Sequence, residues 1–303
     1  MLETPILFLI FNREDTTKRV FEAICQQKPK FLFIAADGPR KNKEGEAEKC
    51  QKVRDIVSHI DWDCELKTLF REENLGCKMA VSGAISWFFE QVEQGIILED
   101  DCLPDPSFFP YCETLLNYYK NDQRIGCISG NCFFPELIDK NYSYAFSQMP
   151  HIWGWATWAR VWKNYDADLS YWQQYQDDTK QREALFLSKR EKIYFDSFIA
   201  DVLSGRNNTW DTQFMFMLRA QNQISICPSV NLVTNIGLTS ADATHAFSKI
   251  NKLLKPSVAI SFPLKHPKYV VPNKELGKTT VRENFFSWKR LLRYYLKKVK
   301  LYL

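Results

Sequence analysis

The sequence predicts an α/β protein: a mostly parallel sheet flanked by helices, with a mixed C-terminal half. Three observations carry that expectation. Apolar runs of strand length recur through the first 130 residues, as in strands buried on both faces. Segments with helical apolar spacing alternate with them, the pattern of crossover-linked strands. The composition, 45% hydrophobic and 25% charged over 303 residues, is that of a folded chain. It excludes disordered, collagen-like and low-complexity classes.

Residues 5–11 (PILFLIF) are the first expected strand, and residues 14–27 a helix with Val20, Phe21 and Ile24 on its apolar face. Residues 31–37 (FLFIAAD) form a second strand, ended by Gly38-Pro39. A polar helix over 43–59 carries Val53, Ile56, Val57 and Ile60, and residues 65–70 are a short third strand. An apolar helix over 77–94 leads to a fourth strand, residues 95–99 (GIILE). The helix over 105–120 is expected to take Asp105 as N-cap and Pro106 as its first residue. Its apolar stripe is Phe108, Phe109, Cys112, Leu115, Leu116 and Tyr119, and residues 124–129 are a fifth strand. Ligands of such sheets sit at the carboxyl ends of the strands. That rule gathers Asn12-Arg13, Asp37-Gly38 and Glu99-Asp100-Asp101 around one crevice.

The second half is less regular. Residues 153–165 are aromatic-rich, 182–203 and 210–221 read as helices, and 224–235 as one or two strands. A polar loop follows over 238–245, then a Pro-punctuated stretch over 256–281. Without repeats or a long linker, residues 1–286 read as one unit, with a ligand-binding half (1–130) and a second half (131–286).

The net charge of +4 hides an asymmetry. Residues 287–303 carry Lys289, Arg290, Arg293, Lys297, Lys298 and Lys300 and no acid; the remainder holds 34 basic against 36 acidic residues. A nucleic-acid partner is disfavoured. In the tail Trp288, Leu291, Leu292, Tyr295, Leu296, Val299 and Tyr302 recur at helical spacing. That is a basic amphipathic helix, suited either to an anionic membrane surface or to docking on the body. No apolar run approaches the ~20 residues that span a bilayer. Glu3 and Pro5 break any signal-peptide pattern, and nine cysteines without a CxxC pair read as reduced thiols, not a zinc site. The expected location is the cytoplasm, peripheral on the inner face of the plasma membrane if the tail binds lipid.

The sharpest chemical feature is residues 95–109 (GIILEDDCLPDPSFF): a buried strand ending in three adjacent carboxylates, then a proline-started helix. Adjacent acids repel unless a cation offsets them, and hard oxygen ligands at a strand end suit Mg²⁺ or Mn²⁺ with a phosphate completing the shell. A solvated acidic turn is the plainer alternative, although Asp105 already supplies the expected cap.

This "EDD" strand end followed by a proline and "FF" resembles the metal-binding motif of GT-A-fold glycosyltransferases. It is most similar to the N-acetylglucosaminyltransferase I group. PILFLIFNRE resembles that group's first strand and AADGP its second. GWATW (residues 154–158) and Trp210-Asp211 are similar to motifs of uncharacterised bacterial nucleotide-diphospho-sugar transferases. The resemblance implies a GT-A-like (Rossmann-like) sheet. It also implies an inverting, metal-dependent transfer from a nucleotide-sugar donor, UDP-linked, to a glycan or lipid-linked glycan acceptor in bacterial surface-polysaccharide assembly. By resemblance Asp101 is the metal ligand, and Glu99 and Asp100 accept hydrogen bonds from donor hydroxyls. Asp37 reads the uracil N3–H or is a plain turn acid. Asn12 and Arg13 contact base or phosphate, or Arg13 makes a flanking salt bridge. Asp211 lies in the catalytic-base region, where the family has two acids and this chain has Asp211-Thr212; a helix N-cap is the alternative. Trp153, Trp155 and Trp158 form an acceptor platform or a core stripe. Gly154 permits close backbone approach. His245 reaches pyrophosphate or metal, or is a bland loop residue. Arg71, Asn74 and Gly76 line the donor site or only start the next helix.

Two other classes compete. A sugar nucleotidyltransferase would carry a glycine-rich loop after the first strand, where this chain has FNREDTTK. A non-catalytic sugar-binding or membrane-docking protein would use the acids for structure alone.

Overall fold

The computed structural model describes residues 1–178, 180, 184–186, 188–239, 254–285 and 292. The chain order begins β1 (Ile6–Ile10), α1 (Glu14–Cys25), β2 (Phe31–Ala36), α2 (Glu46–Ile56) and β3 (Glu65–Phe70). It continues through α3 (Gly76–Phe89), β4 (Gln94–Glu99), β5 (Cys102–Pro104), α4 (Phe108–Tyr118) and β6 (Ile125–Ser129). The second half adds β7 (Tyr144–Ser147), β8 (Trp155–Trp158), α5 (Ala159–Trp162), α6 (Trp172–Asp177), α7 (Lys189–Leu203), α8 (Asp211–Ala220), β9 (Ile224–Pro228), β10 (Val233–Asn235) and α9 (Lys274–Thr280).

Eight strands make one sheet in the order β3-β2-β1-β4-β8-β6-β9-β7, and β5 pairs with β10 beside it. Pairs β2/β3, β1/β2, β1/β4 and β6/β9 are parallel; β4/β8, β6/β8 and β7/β9 are antiparallel. The sheet is thus mostly parallel with a mixed second half, as the alternation predicts. Every residue of β1 is buried, which its uninterrupted apolar run requires in a central strand covered on both faces. One continuous core joins β1, β2 and β4 to Trp155, Phe214 and Ile226 of the second half.

One expectation needs correction here, and one stretch without an expected element gains one. Helix α4 starts at Phe108, not at Asp105 or Pro106. Asp105 instead closes the turn before it: its Oδ1 accepts from Ser107 N (2.9 Å) and Oγ (2.6 Å). The GWATW stretch is a strand: β8 inserts antiparallel between β4 and β6, pairing Trp155 with Ile97 and Ser129. Its entry turns on Gly154, which has φ +64°, and a Cβ there would lie 2.8 Å from Val233 Cγ2. The tail over 287–303 lies outside the described residues apart from Leu292, and so does His245. Among the described residues, no helix is long and apolar enough to cross a membrane.

Candidate active site

The parallel register brings three strand ends to one edge, with Leu9 of β1 opposite Glu99 and Ile10 opposite Ala36. The residues after those ends, Phe11-Asn12-Arg13, Asp37 and Glu99-Asp100, line a cavity of about 500 Å³. Arg71, Asn74, Gly76 and Cys77 close it from the start of α3, and Arg40, Lys43, Glu46 and Lys49 from the entry of α2. Arg71, Asn74 and Gly76 therefore both lead into α3 and line the cavity.

The three acids are short of counter-charge. Arg13 Nη1 lies 2.7 Å from Asp101 Oδ2 and 3.5 Å from Asp100 Oδ1. The Phe11 N–H donates to Asp100 Oδ2 at 3.2 Å. Burial pushes the Glu99 carboxyl up to about 8, and Asp101, Asp100 and Asp211 add to the rise against the pull of Arg13. Burial and Asp101 push Asp100 up to about 7 despite Arg13 and the Phe11 N–H. Burial alone would lower Arg13, but Asp100, Asp101 and Glu99 outweigh it and hold its proton more tightly. Among the described residues one guanidinium faces these acids and does not neutralise them, so a further cation is electrostatically welcome. Asp101, 14% exposed, is packed from the other side by the turn after β10, where a Cβ at Gly237 would collide with its Oδ2. No three or more His, Cys, Asp or Glu among the described residues are gathered to hold a metal ion by themselves. The donor set fits a hard cation that arrives with phosphate oxygens of its own.

The opposite rim is organised by Glu46, 1% exposed in the first turn of α2. It accepts from Asn12 Nδ2 (2.9 Å), from Arg40 N (2.8 Å) and from the Arg40 guanidinium. The Arg40 hydrogen bond, against the burial cost, lowers its carboxyl to about 2. Asn12 thus reaches the cavity with its amide held by Glu46. Asp37 is also committed to the protein. It accepts from the N–H groups of Gly38, Leu75 and Gly76 (each 3.0 Å) and from Asn74 Nδ2 (3.0 Å). The turn-acid alternative accounts for these bonds: the carboxylate ties the end of β2 to the start of α3.

Asp211 lies in the first turn of α8, with Trp210 as the cap residue, so it is not the N-cap. Its Oδ1 accepts from Thr209 Oγ1 (2.6 Å) and Thr212 Oγ1 (3.3 Å). It is near enough to Glu99 and Cys77 to raise the pKa of both. With Trp153, Asn131, Phe133, His151 and Met215 it lines a second cavity of about 150 Å³.

The platform of three tryptophans is a correction. Trp155 is fully buried, stacked on Trp210 (5.6 Å, 18°) and tilted against Phe214 (4.8 Å). Trp158 is 2% exposed, its Nε1 donates to Leu116 O at 3.3 Å, and the Arg160 guanidinium covers its ring at 4.4 Å. A central strand with both faces covered offers neither ring to a ligand; Trp153, ahead of the strand and half-buried, remains available. Glu46, Arg40, Lys43 and Lys49 were legible only as a charged helix start. Asn131 and His151 carried no motif at all.

No family model matches the chain, and no curated protein matches it. Similar solved structures include a UDP-glucose pyrophosphorylase complexed with UDP-glucose, at 11% identity and TM-score 0.27, over 48% of this chain and 62% of that one. The 4-diphosphocytidyl-2C-methyl-D-erythritol synthase from Anaerococcus prevotii DSM 20548 matches at 9% identity and TM-score 0.32, over 64% of this chain and 82% of that one. An apo UDP-glucose pyrophosphorylase matches at 9% identity and TM-score 0.36, over 78% and 93%. This chain spans 62% of the first structure's length. Similarity at this level assigns no activity, and the functional reading rests on the geometry above.

Proposed function

We propose that the chain is a nucleotide-sugar-dependent transferase whose main cavity holds a nucleoside diphosphate sugar. The observation that carries this reading is the acidic strand end at the carboxyl edge of the sheet: Glu99 and Asp100 line the cavity together with cationic Arg13, Arg40, Lys43, Lys49 and Arg71, and Asp101, next in the chain and not itself a lining residue, pairs with Arg13. Asp101 and the donor's two phosphates would hold Mn²⁺ or Mg²⁺, which supplies neutralisation of the diphosphate as it leaves.

The reaction we favour is glycosyl transfer with inversion. The acceptor hydroxyl oxygen bonds to C1 of the donor sugar as the bond from C1 to the diphosphate oxygen breaks. The hydroxyl proton passes to Asp211, and the nucleoside diphosphate departs with the bonding pair. Two features support Asp211 as the base: only its Oδ1 is hydrogen-bonded by described residues, and it lines the second cavity while lying near enough to Glu99 to raise that carboxyl's pKa.

Nucleotidyl transfer is the second reading, and the five cations lining the cavity favour it, because they suit a longer polyphosphate. The three residues between β1 and α1 contain no glycine to cradle one. Product analysis separates the two. With UDP-sugar, Mn²⁺ and glycan acceptors, glycosyl transfer releases UDP. With UDP-sugar, Mn²⁺ and pyrophosphate, nucleotidyl transfer releases UTP and sugar 1-phosphate. Asp211→Asn is expected to lower UDP release roughly 10²–10⁴-fold with donor affinity little changed. Near-normal turnover in that variant would move the base role to another acid, such as Asp166 or Asp168.

A further inference from the structure

The second cavity contains unused hydrogen-bonding capacity of a particular kind. Asn131 is 1% exposed and His151 3% exposed, and both line it. The Asn131 carbonyl oxygen lies 3.0 Å from His151 Nδ1. A carbonyl can only accept, so Nδ1 carries the proton and Nε2 presents its lone pair. Burial lowers the imidazole to about 4, so this neutral tautomer persists at physiological pH. Asn131 Oδ1 accepts from Cys132 N (3.0 Å) and Trp153 N (3.2 Å), which fixes its amide the right way round. Among the described residues, its Nδ2 and His151 Nε2 have no hydrogen-bond partner. Leaving buried polar atoms unpaired is costly, and a complementary ligand removes that cost.

The rest of the wall completes a pattern. Phe133 packs edge-on against both His151 (4.7 Å) and Trp153 (5.1 Å), so the tryptophan is braced by the residues that carry the unpaired atoms. Asp211 adds a carboxylate, and Met215 an apolar patch. One free acceptor, two free donors (Asn131 Nδ2 and Asn284 Nδ2), a carboxylate and braced aromatic rings match a ring that bears several hydroxyls and has an apolar C–H face. A volume of about 150 Å³ is below the ~300 Å³ at which drug-sized pockets begin, so it takes one ring rather than an extended chain.

We infer that this cavity is a subsite for a single terminal sugar ring of the acceptor, with His151 Nε2 and Asn131 Nδ2 reading its hydroxyls and Trp153 covering its C–H face. The inference rests on the transferase reading for the word acceptor; the binding of a sugar ring stands without it.

The test is a titration of the full chain, labelled with ¹³C at its methionine methyls. The ligands are the methyl β-glycosides of glucose, galactose and N-acetylglucosamine, with 2-(hydroxymethyl)tetrahydropyran as a ring lacking the other hydroxyls. At least one glycoside is expected to move the Met215 resonance, assigned through Met215→Leu, while Met1 and Met79 stay in place. Trp153→Ala and His151→Phe are each expected to weaken that glycoside at least tenfold. If His151→Phe does not fold, the wild-type titration and Trp153→Ala decide. A silent Met215 with every glycoside, undiminished affinity in Trp153→Ala, or equal binding of the hydroxyl-poor ring would overturn the inference. Repeating the titration with a UDP-sugar and Mn²⁺ keeps the two claims apart. Nucleotide-sugar binding without glycoside binding removes this subsite alone. Glycoside binding without nucleotide-sugar binding keeps the subsite and removes the transferase reading.

Discussion

At the scale of single residues, Glu99 is where burial and repulsion compete most openly with function. Its carboxyl, raised to about 8, binds a proton in the folded chain that it releases in the unfolded chain above the ordinary glutamate value of 4.5. The folded state therefore holds the extra proton between those two values, and stability falls as pH rises across that window. The slope from this group is at most about 1.4 kcal/mol per pH unit, reduced by whatever solvent reaches the partly exposed side chain. Glu99→Gln should flatten that part of the stability curve between pH 5 and 8 in chelator-treated protein. Parallel curves for wild type and Glu99→Gln in denaturant titrations at pH 5, 6, 7 and 8 would contradict the assigned environment. The triple acid itself was legible in the sequence, because three adjacent carboxylates after an apolar strand leave few other interpretations. Its guanidinium partner among the described residues was legible only as one of two alternatives for Arg13, since a salt bridge across about 90 positions has no local signature.

At the scale of elements, the connection from β2 to α3 depends on one carboxylate. Asp37 accepts from three backbone N–H groups and the Asn74 amide, so it takes the place of a cap at the start of α3, whose own cap residue Leu75 offers none. Asp37→Ala should cost about 1.5–3 kcal/mol, given the charge-assisted bonds lost at donors that are only partly buried. Asp37→Asn should recover part of that. A urea titration showing less than about 1 kcal/mol for the alanine variant would remove the structural role and return the carboxylate to ligand binding. Strands β1–β4 and β6 and the helices between them were readable because continuous apolar runs and helical spacing are local signals, whereas the three-residue β5 was too short to show either. Strand β8 was not, because WATW reads equally as a binding motif or a buried stripe. Only its antiparallel insertion between β4 and β6 decides that Trp155 and Trp158 are core while Trp153 is not. The second cavity was hidden for a related reason: Asn131, His151 and Asp211 come from three separate segments that meet only in the folded chain.

At the scale of the whole molecule, the chain has a near-neutral body and a basic tail over 287–303. We hold the tail as a membrane-surface anchor on its sequence. Each near-surface cation gains about 1 kcal/mol on anionic lipid, so association should be reversible and salt-sensitive. Deleting residues 287–303 should abolish cosedimentation with phosphatidylserine-containing vesicles and leave turnover on a soluble acceptor unchanged. Full-length protein that ignores such vesicles at low salt, or a truncated chain that does not fold, would assign the apolar stripe to the body instead. Placed on a membrane, the arrangement would suit a lipid-linked acceptor entering the second cavity, which Asp211 lines, while the nucleotide sugar occupies the first. All of this depends on one claim, that the acidic strand end receives a nucleoside diphosphate sugar together with a divalent cation. The most direct measurement is the thermal shift of wild type and Asp101→Asn with UDP-, GDP- and CMP-sugars, each with and without Mn²⁺. At least one nucleoside diphosphate sugar should raise the wild-type melting temperature only when Mn²⁺ is present, and Asp101→Asn should stay folded and lose that shift. A wild type indifferent to every donor, or an Asp101→Asn variant with an undiminished Mn²⁺-dependent shift, would contradict the claim.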